Sequence, residues 1–339
     1  MPVDLRSDTV TQPTPAMRQA MMDAPLGDVC MGDDPSVLRL ETMAAERLGK
    51  EAAIFVPTGS MSNQIGIALH AGLGDAAIVE AGAHIANWEA GGAAASSGVQ
   101  LRPVHATDGL PTCEQLEGAL WPHHPKAPRL KVLCMENTHN GRGGIPHPAS
   151  ALAERAAWAR SHDLTVHLDG ARLFNAQAAT GDSVQEIGAS CDTVNICLSK
   201  GLGAPVGSIL AGPAPLIEEA DRVRHRLGGG WRQAGMLAAA GMYALEHHVT
   251  RLTTDHAHAK ALADALAATG IAEAYHEVQT NLVCYRVNPE WGPASQLTQT
   301  LAEQGVLVLH TGPATGRLVT HLDVSEGDVA QAIQVIRAL

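Results

Sequence analysis

A lysine and an aspartate each follow a strand-like run of residues, and together they can hold a planar cofactor. Lys200 follows residues 192–199, and a turn of small residues comes after it. Asp169 follows residues 164–168, thirty-one positions before the lysine. The lysine amine can bind the aldehyde of pyridoxal phosphate as a Schiff base, while the aspartate keeps the ring nitrogen protonated. Most lysines at strand ends only reach solvent, so the pair alone leaves both interpretations open.

The turn at residues 57–62 has the composition of a phosphate site. It reads PTGSMS and lies between a strand-like run and a predicted helix. Backbone amides at the start of a helix bind phosphate, and a glycine lets the anion approach closely. Thr58, Gly59 and Ser60 are therefore candidate phosphate ligands, although the same residue types cap helices that bind no anion.

Three arginines are candidates for binding the anionic groups of a ligand. Arg172 comes three residues after Asp169 and can form a bidentate pair with a substrate carboxylate or support the ring. Arg317 is a second candidate of the same kind. Arg232 follows the glycines at residues 228–230 and can meet a phosphate or a neighbouring subunit. The alternative for any single arginine is a surface or interface ion pair, which is commoner.

His84 follows a candidate strand, where an imidazole can stack on a planar ring or move a proton. The chain has 17 histidines, and an isolated histidine is usually structural. Three clusters, at residues 123–124, 247–248 and 256–258, are also typical of metal sites. Each lacks a third ligand at a recognisable spacing, so the sequence predicts no metal.

The order of the predicted elements indicates an α/β protein. Strand-like and helix-like segments alternate from residue 50 to residue 245, which is typical of a mostly parallel sheet surrounded by helices. We expect an N-terminal segment that contributes to the active site, a large cofactor-binding domain and a small C-terminal α/β domain. Their boundaries are residues 1–15, 16–245 and 246–339.

The C-terminal part of the chain repeats the alternation on a smaller scale. Residues 237–268 favour a long helix with a break near residues 250–254. Strands are predicted at residues 280–287, 306–310 and 316–321, and Ser325 with Asp328 resembles a capping pair before the last helix.

The composition argues against several classes of function. The chain of 339 residues is 45% hydrophobic, which allows a sizeable core. Its net charge of −12 and the lack of a Lys/Arg run argue against nucleic-acid binding. The six cysteines are scattered without a C-x-x-C pair, and no segment approaches the length of a membrane span. We therefore expect a cytoplasmic protein that binds neither nucleic acid nor membrane.

Seven segments, in order along the chain, resemble those of one family. They are residues 4–11, 57–60, 136–140, 167–175, 197–201, 228–235 and 317–321. The family is that of the low-specificity L-threonine aldolases, pyridoxal-phosphate enzymes of the aspartate-aminotransferase fold (fold type I). The resemblance implies a mostly parallel seven-stranded sheet with helices on both faces, and a smaller C-terminal α/β domain. It also implies a homotetramer, a dimer of dimers whose subunits share active sites.

The resemblance implies cleavage of L-threonine, L-allo-threonine and related L-3-hydroxy-2-amino acids to glycine and an aldehyde. Lys200 would carry the cofactor, Asp169 would pair with the pyridine nitrogen, and His84 would stack on the ring. The implied phosphate ligands are Thr58, Gly59, Ser60 and, from the adjacent subunit, Arg232. The implied ligands of the substrate carboxylate are Ser7, Arg172 and Arg317.

Three positions depart from the family's pattern. Residues 30–31 are Cys-Met where Val-Tyr is common, and Trp231 replaces a common Met. Residues 126–129 stand where the family has a histidine that helps with the substrate hydroxyl. The departures bear on stereochemical preference and side-chain selectivity, and the reaction class is unaffected. His84 is the first candidate for the base; a bound water or Lys126 is the alternative.

Two other functions stay open on the sequence. The same cofactor supports transamination, racemisation and β-elimination, which the residues near Lys200 do not exclude. A catalytically silent cofactor-binding protein would also keep Lys200 and Asp169, but it would release no product.

Overall fold

The computed structural model describes residues 2–339, which form three β-sheets and fourteen α-helices. The strands are β1 (Val3–Asp4), β2 (Ala52–Val56), β3 (Asp75–Glu80), β4 (Gln100–Val104), β5 (Arg129–Glu136), β6 (Thr165–Asp169), β7 (Thr193–Cys197), β8 (Ser208–Gly212), β9 (Ala272–Ala274), β10 (Leu282–Val287), β11 (Val306–Leu307), β12 (Leu309–His310) and β13 (Thr315–Val319). The helices are α1 (Pro15–Met22), α2 (Pro35–Leu48), α3 (Gly59–His70), α4 (His84–Asn87), α5 (Gly92–Ser97), α6 (Cys113–Glu117), α7 (Ala149–Ser161), α8 (Leu173–Thr180), α9 (Val184–Gly188), α10 (Ala214–Arg226), α11 (Gly235–His247), α12 (Leu252–Thr269), α13 (Ala294–Glu303) and α14 (Glu326–Ala338).

The central sheet has seven strands in the order β2-β8-β7-β6-β5-β3-β4. The five strands from β7 to β4 pair in parallel, because helices connect them along the chain. β8 is antiparallel to both of its neighbours, since residues 198–207 return the chain directly from β7 without a helix. The predicted mostly parallel seven-stranded sheet is confirmed.

Helices cover both faces of this sheet. Side chains alternate between the two faces along a strand, and β2 shows the consequence. Ala53 and Phe55 pack into a core shared with α2 and α11, whereas Ile54 and Val56 pack into a second core with α3 and α10. Both cores are apolar, so the sheet is buried between two helical layers, as predicted.

The small C-terminal sheet is antiparallel, in the order β12-β13-β10-β9. The prediction of one strand at residues 306–310 was wrong. The segment is divided at buried Val308: β11 pairs in parallel with the N-terminal strand β1, and β12 pairs with β13. The chain therefore leaves one sheet for another within five residues, because β1 supplies a partner that local sequence does not reveal. The domain boundaries stay a prediction.

Two local predictions in this part of the chain are confirmed. The long helix is interrupted between α11 and α12, at residues 248–251, beginning slightly before the predicted range of 250–254. Ser325 and Asp328 form a reciprocal cap at the start of α14, with the Ser325 hydroxyl accepting from the Asp328 amide at 3.2 Å. None of the helices in residues 2–339 is long and apolar enough to cross a membrane.

Candidate active site

A cavity of about 270 Å³ lies where the central parallel strands end and α3 begins. Parallel strands end at one edge of a sheet, so residues that follow them in sequence meet there. Lys200 and Asp169 both line this cavity, as the sequence predicted for a shared site. The other predicted residues that line it are Thr58, Gly59, Ser60 and His84.

The first turn of α3 fits an anionic group. Thr58 is the N-cap, and its hydroxyl accepts a hydrogen bond from the Met61 amide at 3.1 Å. A Cβ at Gly59 would lie 2.6 Å from the Cys197 sulfur, so only glycine allows the turn to pack on β7. The capping and phosphate interpretations are compatible, because Thr58, Gly59 and Ser60 line the cavity and the first amides of a helix have no acceptor within the helix.

Asp169 is a buried carboxylate whose hydrogen-bond donors, among the described residues, are all neutral. It is 2% exposed. The Asn63 side-chain amide donates to one oxygen at 2.8 Å; the Asn195 amide and the Ala171 backbone amide donate to the other at 3.1 Å each. A cationic group in the cavity would balance its charge, and the protonated nitrogen of a pyridine ring is such a group.

His84 lies beside Asp169 and contacts a second buried carboxylate. Its Nδ1 is 3.0 Å from an oxygen of Glu89, whose side chain is 1% exposed. Its backbone amide donates to Glu136 at 2.6 Å. The hydrogen bond with Glu89 raises the pKa of His84 above its ordinary value of 6.5, while burial acts in the opposite direction.

Arg172 is committed to a partner that the sequence did not reveal. Its guanidinium donates two hydrogen bonds to Asp8, each 2.7 Å long, and both side chains are buried. Burial alone would raise the pKa of Asp8, but Arg172 holds it far below the ordinary value. The remaining nitrogen of Arg172 donates to the Asn140 side chain at 3.1 Å. Its prediction as a carboxylate ligand is untested.

Arg317 lies near Arg172, since its guanidinium also approaches Asn140, at 3.4 Å. Its Nε is buried without a hydrogen-bond partner among residues 2–339. Burial, and next the charge of Arg172, lower the pKa of Arg317. An anionic ligand group here would supply the missing acceptor, which supports the prediction that Arg317 binds a carboxylate.

Arg172 and Arg317 do not line the cavity, and three further predicted residues also lie outside its lining within one chain. The Ser7 hydroxyl caps a 3₁₀ turn by accepting from the Thr9 amide at 3.2 Å. Lys126 is exposed in the loop between α6 and β5. The Arg232 side chain is 65% exposed and lies 3.7 Å from Asp28. The roles of all three stay predictions, and that of Arg232 involves another subunit.

Trp231, one of the three departures, packs away from this lining. Its ring stacks on Phe55 of β2, with centroids 5.2 Å apart, and its indole nitrogen donates to the Phe55 carbonyl at 3.1 Å.

Sequence reasoning missed the residues that hold the site together. They are Asp8, Asn63, Glu89 and Asn195, and each is buried. Only Asp8 could have been found from the sequence, because it lies in the N-terminal segment, residues 4–11, that resembles the family. The others are single polar residues in apolar surroundings, and their partners are distant in sequence.

Comparisons with known proteins place the chain in a family. The pattern of the beta-eliminating lyases matches residues 4–288. The low specificity L-threonine aldolase of Escherichia coli K12 is 44% identical over 337 residues, which cover 99% of this chain and 98% of the relative. The low-specificity L-threonine aldolase 1 of Arabidopsis thaliana is 40% identical, with 96% and 93% covered.

Solved structures show the same fold at lower sequence identity. The threonine aldolase of Leishmania major superposes with a TM-score of 0.87 at 19% identity, covering 99% of both chains. A putative L-allo-threonine aldolase of Listeria monocytogenes gives 0.81 at 19% identity, covering 99% of this chain and 96% of the other. With the match at 44% identity over nearly the full length, the chain belongs to the beta-eliminating lyase family, among its low-specificity L-threonine aldolases.

Proposed function

We propose that the protein cleaves L-threonine, L-allo-threonine and related L-3-hydroxy-2-amino acids to glycine and an aldehyde, reversibly, with pyridoxal phosphate as cofactor. One observation carries the proposal. Lys200 and Asp169 line one cavity beside the N-terminus of α3, in a chain 44% identical to an L-threonine aldolase.

The residues present fit pyridoxal phosphate. The amine of Lys200 would hold the cofactor's aldehyde, Asp169 would accept from the ring nitrogen, and the first turn of α3 would take the phosphate. When bound, the cofactor takes up the electron pair of the broken Cα–Cβ bond. Asp169 promotes this uptake because it keeps the ring nitrogen protonated.

The protein's own groups position the substrate and move its proton. Arg317 binds the substrate carboxylate through its free guanidinium edge, with Ser7 and Arg172 as further candidates. Fixing the carboxylate would orient the bonds at Cα relative to the cofactor, and hence select which bond breaks. His84 removes the proton of the β-hydroxyl; a bound water or Lys126 is the alternative base.

The products distinguish this reaction from its closest rival. The family pattern is that of the beta-eliminating lyases, and β-elimination of L-threonine would release ammonia and a keto acid. We expect purified protein with pyridoxal phosphate to convert L-threonine to acetaldehyde and glycine in equal amounts. Ammonia and keto acid as the main products would overturn the proposal in favour of elimination, and no product would favour a silent cofactor-binding protein.

We infer a cytoplasmic homotetramer, a dimer of dimers, that acts on free amino acids. All six cysteines are unpaired, four of them buried, which is typical of a reducing compartment. The exposed Arg232 side chain supports the sharing of active sites, because a guanidinium at the surface can contact a neighbouring subunit.

A further inference from the structure

Glu89 is a buried carboxylate at the active site that has no role in the proposed reaction so far. It lies between α4 and α5, and its side chain is 1% exposed. Asn63 donates to one of its oxygens at 2.8 Å, and Gln64 donates to the other. The Nδ1 of His84 lies 3.0 Å from the oxygen that Asn63 also contacts.

The hydrogen bond with Glu89 determines where a neutral His84 carries its proton. An ionised carboxylate only accepts hydrogen bonds, so the proton must be on Nδ1. A neutral imidazole has one N–H, and its Nε2 is then an unprotonated acceptor. Nε2 is the other ring nitrogen, and His84 lines the cavity while Glu89 does not.

We infer that Glu89 is the positioning residue that holds His84 in the Nδ1–H tautomer, so that Nε2 accepts the β-hydroxyl proton of the substrate. The inference rests on the proposed function. In this step the hydroxyl O–H bond breaks and an N–H bond forms at Nε2. The oxygen's electron pair forms the carbonyl of the leaving aldehyde, and the Cα–Cβ pair stays with the glycine fragment. Glu89 stabilises the imidazolium that results.

Other charged groups around His84 act in both directions. Glu89 and, more weakly, Asp169 raise the pKa of His84, whereas burial and the charge of Lys200 lower it. Glu136 faces the backbone of the same residue and accepts its amide proton. Glu89 differs from these groups because it alone hydrogen-bonds the imidazole among the described residues.

Asn63 connects Glu89 to Asp169, the proposed partner of the ring nitrogen. Its side-chain nitrogen donates to Glu89 and to Asp169, each at 2.8 Å. The Gln64 side chain is itself confined, because a Cβ at Gly92 would lie 2.5 Å from it. The position of Glu89 is therefore fixed from two sides before any ligand binds.

The tautomer can be measured without any turnover. In the apoprotein with ¹⁵N-labelled histidine, at a pH above the pKa of His84, we expect its signals to show a protonated Nδ1 and an unprotonated Nε2. The variant His84→Asn identifies the signals among the 17 histidines. A protonated Nε2 in wild-type protein would overturn the inference, and this result needs no variant of Glu89 to fold.

The second test changes the charge and keeps the shape. In Glu89→Gln holoenzyme we expect kcat to fall by about 10²-fold, the lower end for loss of general-base assistance, with KM within about twofold. Because Glu89 raises the pKa of His84, the acid limb of the kcat profile should move to lower pH. Glu136→Gln is the matched control, and it should leave the His84 tautomer and this limb in place.

The outcomes separate the inference from the proposed function. Wild-type protein that yields no acetaldehyde from L-threonine would refute the function. Active wild-type protein whose acid limb and kcat are unaffected by Glu89→Gln would refute only the role of Glu89.

Discussion

At the scale of single residues, the site is marked by charges that the protein itself leaves unbalanced. Asp169 is buried and accepts hydrogen bonds only from neutral donors among residues 2–339. The Nε of Arg317 is buried without an acceptor among the same residues. Such groups are costly unless a ligand completes them. A protonated ring nitrogen would pair with Asp169, and a carboxylate would accept from Arg317. A cofactor and its substrate together supply both groups.

Lys200→Ala tests the residue that we propose carries the cofactor. We expect the variant to lose turnover of L-threonine and the visible absorbance that the cofactor owes to its bond with this lysine. Absorbance spectra and an acetaldehyde assay are the measurements. Lys260→Ala, at a side chain 68% exposed on α12, should retain both. Full activity of Lys200→Ala would contradict the assignment.

Asp169→Asn tests the partner of the ring nitrogen. Asparagine has nearly the same shape but no charge, so the ring would lose the group that keeps it protonated. We expect kcat/KM for L-threonine to fall by at least about two orders of magnitude. A value close to that of wild type would remove Asp169 from its role.

At the scale of elements, helix α3 contributes residues to the cavity and also holds the buried carboxylates around it. Its first turn offers Thr58 and Gly59 to the cavity, and one turn later Asn63 bridges Asp169 and Glu89. The side-chain oxygen of Asn63 also lies 3.1 Å from Nε2 of buried His167. At Gly66 the helix passes so close to this imidazole that a Cβ would lie 2.4 Å from it.

Gly66→Ala tests the close approach of α3 to β6. The added methyl group must displace His167 or the helix, so we expect a loss of roughly 1–3 kcal/mol in the free energy of unfolding. Cofactor affinity should fall as well, because Asn63 moves with the helix. Gly327→Ala in α14 is the control; its Cβ meets nothing closer than 3.7 Å, and stability should be unchanged or slightly higher. Denaturant unfolding and cofactor titration give the two quantities.

At the scale of the whole molecule, one buried ion pair joins three distant parts of the chain. Asp8 belongs to the N-terminal segment, and Arg172 lies between β6 of the large sheet and α8. Asn281, just before β10 of the small sheet, donates to Asp8 at 3.2 Å. The contact therefore holds the N-terminal segment between the two larger sheets.

Asp8→Asn should destabilise the protein strongly, because it leaves the guanidinium of Arg172 buried without an anion. Breaking a buried pair in this way costs about 3–5 kcal/mol. Asp264→Asn removes an exposed helical pair, whose partners are 68% and 66% exposed, and should change stability by less than about 0.5 kcal/mol. Equal effects of the two variants on denaturant unfolding would contradict this account.

The same pair predicts a dependence of stability on pH. The pKa of Asp8 in the folded state lies below its ordinary value of 3.8. Its contribution is therefore fully present above about pH 4 and is lost as the pH falls through the folded-state pKa. In the Asp8→Asn variant, the free energy of unfolding should therefore fall much less with decreasing pH than it does in wild-type protein.

Sharing of active sites can be tested by mixing two inactive variants. If Arg232 serves the neighbouring subunit, a mixed dimer of Lys200→Ala and Arg232→Ala contains one intact site and one that lacks both residues. Random reassociation should then restore about a quarter of wild-type activity. If Arg232 serves its own subunit, or has no role in the site, the mixture will show no gain over the separate variants.

The sequence by itself determined much of the fold and located the residues that we propose bind the cofactor. Lys200, Asp169 and residues 57–60 lie in local strand–turn patterns, and such patterns depend on neighbours within a few positions. The relative direction of the strands was constrained as well, because helical connections favour parallel pairing. The same reasoning failed at residues 306–310, where the partner strand is three hundred residues away at β1.

Only the tertiary structure decided which polar side chains complete the site. Asn63 meets Asp169 across 106 positions, and Arg172 meets Asp8 across 164. Buried polar groups must be paired, but the choice of partner depends on how the sheet and helices bring distant segments together. Local patterns therefore locate the groups proposed to bind the cofactor, and the folded chain assigns the amides and carboxylates that hold those groups in place.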